Sequence, residues 1–186
     1  MSALLFESQD GRARIGMKGP RAEQWLADRG IVLPAAPNSW AGSTATGNST
    51  GLLVARLGAS EFFLEDAAEG TLLQGIGRGL EENPSGVYPV LREDAAFQLS
   101  GDGVHDVLAQ VCNVHFAGLA LDSRPVIMTL MLGVAVLVVP QDSGPGTERR
   151  YRIWCDPTFG PFLREAVGGV VVECGGTCAS RRDDSK

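Results

Sequence analysis

The sequence predicts an α+β fold built from two copies of one β-α-β-β-α unit. Three observations carry that prediction. The stretches "RIGMKGPRAEQWLADRGIVLP" (14–34) and "FQLSGDGVHDVLAQVCNVHFA" (97–117) share one layout: a short alternating run, a glycine, an amphipathic helical run and an exit into a new apolar segment. Aligning Gly19 with Gly101 sets an offset of 82 residues, under which the helix face Ala22, Trp25, Leu26 maps onto Val104, Val107, Leu108. After each helix, short apolar runs bounded by turn residues have the pattern of strands that pair through hairpins.

The elements follow in chain order. In the first half, about 14–83, a strand runs to Gly19 and a helix follows it until Gly30, a natural stop. "PAAPNSWAGSTATGNSTG" (34–51) reads as a long polar loop, "LLVARLG" and "EFFLE" as two strands, and about Ala67 to Glu82 as a helix. The second half, about 96–173, repeats the strand and the helix and stops at Asn113. "VIMTLML" and "VAVLVV" then form a buried hairpin turning at Leu132 and Gly133. "YRIWC" is a strand, "TFGPFLREAV" a helix and "GVVVEC" a final strand. Strands that alternate with helices yet pair through hairpins give two ferredoxin-like halves. Together they make one domain over 1–173, with 174–186 as a polar, disordered tail.

A chain of 186 residues, 44% hydrophobic and 20% charged, buries a core without help from metals or disulfides. Its formal charge of -6 argues against a nucleic-acid partner, which needs clustered Lys and Arg. The one dense basic cluster, "ERRYR" (148–152), reads as solvated surface. "MSALLFESQDG" has no basic n-region and is not a secretory signal. "VIMTLMLGVAVLVV" spans 14 residues, short of the ~20 of a membrane helix. A soluble, cytoplasmic protein without a membrane partner is the expectation. Cys112 and Cys155 read as core thiols. Cys174 and Cys178 form one C-x3-C with no second ligand pair, so no metal is expected there.

The chemistry-bearing residues are sparse. "QGIGRGL" spaces Gly75, Gly77 and Gly79 inside a helical stretch and lacks both G-x-G-x-x-G and the P-loop lysine, so these glycines read as packing positions. His105, on the outer side of the second helix, and His115, after it, look isolated and offer no nucleophile–base pair. The G-x-S-x-G string at 47–51 lies inside the polar loop rather than between a strand and a helix, so no nucleophile elbow is read, and Glu93 with Asp94 reads as a charged turn. The aromatics are the better lead. Trp40 stands in a loop of small residues and either packs back or anchors a partner. Phe62 and Phe63 fall on opposite faces of one strand, so one of them needs a second cover. Trp40 and Phe62 are therefore the candidate partner-interface residues, and no catalytic, cofactor-binding or metal residue is assigned.

"GMKGPRAEQWLADRGIVLPAAPNSW", "ARLGASEFFLE" and "FQLSGDGVHDVLAQVCNVHF" resemble the γ subunit of heterotetrameric sarcosine oxidase. More distantly they are similar to the folate-binding domain of glycine-cleavage aminomethyltransferase. The likeness covers most of 12–172 and rests on strand-G-P-x-A-x-x-W-L, the P-N-x-W loop and R-L-G-x-x-E. The resemblance implies an aminomethyltransferase folate-binding-domain-like fold and a place in sarcosine catabolism. It implies a cytoplasmic heterotetramer with α, β and δ subunits, an oxidoreductase complex whose FAD, FMN, NAD and tetrahydrofolate belong to the partner subunits. Related complexes act on other N-methyl amino acids. The K-G-C-[FY]-x-G-Q signature of folate-binding relatives that act alone is missing. The expectation is a non-catalytic γ subunit, with a stand-alone folate-binding or one-carbon transfer protein as the alternative.

Overall fold

In the computed structural model, which describes residues 2–43, 51–66, 71–141 and 149–179, the chain opens with strand β1 (Leu5–Ser8) and then enters the first repeat. That repeat forms one compact unit, Gly11–Glu93 with Arg124–Val126. It contains β2 (Arg14–Lys18), α1 (Ala22–Ala27), β3 (Ser39–Ser43), β4 (Leu52–Arg56), β5 (Glu61–Glu65), α2 (Thr71–Glu81) and β6 (Tyr88–Val90). The strands form an antiparallel sheet in the order β3-β4-β5-β2-β6. Ala22 and Leu26 of α1 and Leu73, Ile76 and Leu80 of α2 pack on the face carrying Met17, Phe62 and Leu64. The i, i+3, i+4 apolar spacing places these side chains on one side of each helix.

The second unit comprises Met1–Asp10, Asp94–Ser123 and Ile127–Lys186. Its elements are β1, β7 (Ala95–Ser100), α3 (Val104–Val111), β8 (Ile127–Met131), β9 (Val134–Gln141), β10 (Arg150–Cys155), α4 (Gly160–Glu173) and β11 (Thr177–Ala179). The sheet order is β11-β1-β7-β10-β9-β8. All its ladders are antiparallel except β1 with β11. Order β3-β4-β5-β2 in one sheet corresponds to β8-β9-β10-β7 in the other, with α1 matching α3 and α2 matching α4. The fold is α+β with duplicated ferredoxin-like halves.

The glycine that fixes the repeat has one physical role in both copies. Gly19 has φ 133°, and a Cβ there would lie 2.3 Å from the Gly86 carbonyl oxygen. Gly101 has φ 101°, and its Cβ would lie 2.1 Å from that of Ala3. Only glycine allows both the backbone angle and the close approach. The 82-residue offset also brings the helix starts, Ala22 and Val104, into register. It does not hold at the exits. Gly30 leaves α1 at φ 73°, whereas α3 breaks at Cys112 straight into extended backbone that bridges Met131.

Three expectations are corrected. Trp40 lies in a strand, not a loop: β3 has little apolar periodicity of its own and forms because β4 offers it a ladder, Trp40 opposite Ala55. This adds a strand to the first half, making each half β-α-β-β-β-α. "GVVVEC" is not a strand, since α4 continues through it to Glu173. Leu163, Val167 and Val171 recur every four residues and are buried, and this helical period overrides the β-propensity of the valines. At the other end, Thr177–Ala179 pairs with β1, inside the segment read as a polar tail. The start of the expected second helix at 67–70, residues 44–50 of the expected loop and the end of the tail at 180–186 lie outside the described residues.

Candidate functional site

Phe62 is fully buried in the first unit's core, so it presents nothing to a partner and its reading as an interface residue is corrected. Its neighbour Phe63, on the opposite face, is also fully buried, with the Arg92 guanidinium 5.4 Å from its ring. Trp40 is half-buried. Its backbone N–H donates to the Arg124 carbonyl at 2.9 Å, and the Arg124 guanidinium lies 5.5 Å from the indole. Asn38 accepts from Val126 N–H at 2.8 Å, so 124–126 already occupies part of β3's outer edge. The Trp40 Nε1 is buried and has no hydrogen-bond partner among the described residues.

A clearer candidate surface is one the sequence reading missed. The hairpin forms as expected, turning at Leu132 (φ 49°) and Gly133 (φ 85°), the left-handed pair of a two-residue turn. Only one face of β8 is buried, however. Thr129 and Met131 turn inward, while Met128 and Leu130 are 58% and 60% exposed. They stand opposite Leu137 and Ala135 of β9, which are half-buried and exposed. Further into the sheet the same face is closed, with Val139 and Trp154 buried. Among the described residues β8 ladders only with β9, and its outer side is bridged only at Met131, by Cys112. The strand carries no charge on either face. Charges are the usual protection of an exposed edge. Leucine and methionine side chains in one exposed row on such an edge make β8 the candidate interaction surface.

The buried arginines are committed to structure. Arg56 Nη1 and Nη2 donate to the two carboxylate oxygens of Glu23 at 3.0 and 2.9 Å, and its remaining N–H groups reach the carbonyls of Pro34, Gly58 and Ala59. This side chain therefore ties α1, the loop after it and the β4–β5 turn together, which accounts for the arginine of R-L-G-x-x-E, while its glutamate, Glu61, pairs with Arg92. Arg14 pairs with Glu65 at 2.8 Å, both almost fully buried. Arg152, in the basic cluster read as surface, is buried with its guanidinium 5.4 Å from the Trp154 ring; Glu148 of that cluster lies outside the described residues. His105 is not simply solvated: its Nε2 is 2.6 Å from the Tyr151 hydroxyl. Burial and the carboxylates of Asp94, Asp156 and Asp10 push the Cys155 thiol up to about 11. That thiol is inert at neutral pH. Burial also raises the Cys178 thiol. Among the described residues no His, Cys, Asp and Glu cluster suits a metal ion, and no helix is long and apolar enough to cross a membrane.

A groove of about 730 Å³ opens in the first unit beside β6 and the end of α2. Ile15, Leu80, Val90 and Leu91 give it apolar walls, and Arg14 and Arg92 are its cations. Both arginines are ion-paired, Arg14 with Glu65 and Arg92 with Glu61 at 3.2 Å.

The elements define a class before any comparison: a duplicated α+β chain with an apolar sheet edge and buried arginines held by glutamates. No protein-family model matches the chain, and no curated protein matches it. Solved structures do. One is a chain of heterotetrameric sarcosine oxidase from Corynebacterium sp. U-96 in complex with pyrrole 2-carboxylate. It is 22% identical, with a TM-score of 0.67 over 90% of this chain and 83% of that one. Another is glycine cleavage system aminomethyltransferase T from Bartonella henselae, 15% identical, with a TM-score of 0.65 over 95% of this chain. This chain spans 48% of that protein, about half its length. At these identities the likeness establishes the fold, which is the one the sequence resemblance implies.

Proposed function

We propose that this chain is a non-catalytic, γ-type subunit of a cytoplasmic heterotetrameric flavoprotein sarcosine oxidase, a complex that oxidatively demethylates sarcosine to glycine. The observation that carries the proposal is the uncharged edge strand β8, with Met128 and Leu130 mostly exposed. A chain that acts alone gains nothing from such an edge, whereas a subunit covers it on assembly. The fold supports the same reading, since a chain of heterotetrameric sarcosine oxidase has it. In this reading the partners are the α, β and δ subunits, and they hold the FAD, FMN, NAD and tetrahydrofolate. Trp40 is a second contact in the proposal.

The test is reconstitution. Co-expressed with the flavin-bearing subunits of its own organism, the chain is expected to enter a stable, yellow complex that consumes sarcosine. Met128→Lys with Leu130→Lys is expected to prevent assembly while the isolated chain stays folded. A substrate panel of N-methyl amino acids separates sarcosine oxidase from a related N-methyl amino acid dehydrogenase.

The groove beside β6 favours one other reading, a stand-alone folate-binding or one-carbon transfer protein, because its volume suits a small organic ligand. Its chemistry fits folate poorly. The ligand's carboxylates would need cationic partners, and both guanidiniums of the groove are ion-paired to glutamates. Micromolar binding of a reduced folate by the isolated chain would favour this second reading.

A further inference from the structure

The two histidines of the chain, His105 in the first turn of α3 and His115 just after that helix, line one cleft of about 490 Å³ in the second unit. That volume lies in the range of small-molecule sites. Asp106, Cys112, Asn113 and Phe116 complete the part of its wall that carries chemistry. Both imidazoles are held. His105 Nε2 meets the Tyr151 hydroxyl at 2.6 Å, and Arg149 Nη1 donates to Nδ1 at 3.4 Å. Tyr151 is itself fixed by burial and by the edge-on ring of Phe116, 5.5 Å between centroids. The His115 ring lies so close to Gly118 that a Cβ there would come within 2.6 Å of its Cδ2.

The sign of the cleft follows from its groups. A guanidinium only donates, so in the 3.4 Å contact with Arg149 Nδ1 of His105 takes the acceptor side. Asp106 is the one formally charged residue of the lining, and its carboxylate has no hydrogen bond among the described residues. The last carbonyls of α3, which ends at Val111 beside Cys112 and Asn113, add the negative end of a helix dipole. Aromatic faces, which attract cations, come from His105 and Phe116. The one nearby cation, Arg149, is not part of the lining.

We propose that this cleft binds a small organic cation, a protonated alkylamine, whose ammonium meets Asp106 and the nitrogens of His115 while its carbon chain lies along Phe116. The site goes beyond the subunit reading and does not depend on it. Because the chain has two histidines, their ring resonances in NMR report on the cleft individually. Titrating the isolated full chain with ethylammonium is expected to shift the His115 ring signals saturably in the millimolar range. Asp106→Asn is expected to weaken that binding roughly tenfold, a loss of about 1.4 kcal/mol, with an unchanged urea-unfolding midpoint as the sign that the fold is intact. Sodium acetate is expected to produce no saturable shift. Non-saturating shifts with ethylammonium, an equal response to acetate, or full affinity in Asp106→Asn would each overturn the proposal.

Discussion

Arg56 shows how one side chain accounts for a sequence pattern. Its five donors reach a carboxylate and three carbonyls in the first unit. Removing it leaves those carbonyls without a donor, and hydrogen bonds to charged groups contribute about 1.5–3 kcal/mol each to stability. Arg56→Ala is therefore expected to destabilise the chain by at least about 2 kcal/mol, measured by urea unfolding. Arg56→Lys is expected to recover little of it, since an ammonium cannot grip both Glu23 oxygens. Cys155 gives a pH prediction. Its folded-state value of about 11 lies above the ordinary 9.0. Between those limits the unfolded chain loses a proton that the folded chain retains, so stability falls as pH rises from about 9 to 11. Below pH 9 the group contributes no slope. Cys155→Ala is expected to flatten the alkaline fall, seen as a smaller change in midpoint between pH 8 and pH 10.5. With a thiol-alkylating reagent at neutral pH, exposed Cys178 should react and buried Cys155 should not.

At the scale of elements, local signals were legible and tertiary ones were not. The Gly19 and Gly101 corners and the Leu132–Gly133 turn could be read because left-handed backbone leaves a residue-type trace. The helix faces could be read because burial repeats with the helical period. β3 could not, because Ser39, Gly42 and Ser43 give it no apolar alternation and only its ladder with β4 makes it a strand. Nor could the inner half of α4, whose valines favour a strand until Leu163 sets the helical register. The candidate site was half legible. The hairpin was clear, but a run such as "VIMTLML" reads as buried on both faces, and only the sheet order makes β8 an edge. The same reasoning sorts the glycines of α2. A Cβ at Gly75 meets nothing within 4 Å, whereas at Gly79 it would press on Trp25 at 3.1 Å. Gly75→Ala is expected to stabilise the chain by about 0.5–1 kcal/mol through helix propensity. Gly79→Ala is expected to lose that gain to the clash. Thermal unfolding of the two variants side by side checks both.

For the whole molecule, the exposed row on β8 links fold to function. Burying a leucine or methionine side chain at an interface contributes about 1.5–3 kcal/mol, so a lysine at Met128 or Leu130 opposes assembly without disturbing the core beneath Met131. Trp40→Ala tests the second contact. It is expected to weaken assembly by about 2 kcal/mol if the indole is a hot spot, and a change in chain stability alone would assign Trp40 to packing against Arg124. The most direct measurement is sedimentation of the chain with the flavin-bearing subunits of the proposed complex, followed by absorbance in the flavin band and by sarcosine-dependent oxygen consumption. The account predicts that wild-type chain co-sediments with the flavin signal and that the active complex is lost with Met128→Lys and Leu130→Lys. Co-sedimentation and activity unchanged by both lysines, or wild-type chain that stays apart from the flavin signal, would contradict it.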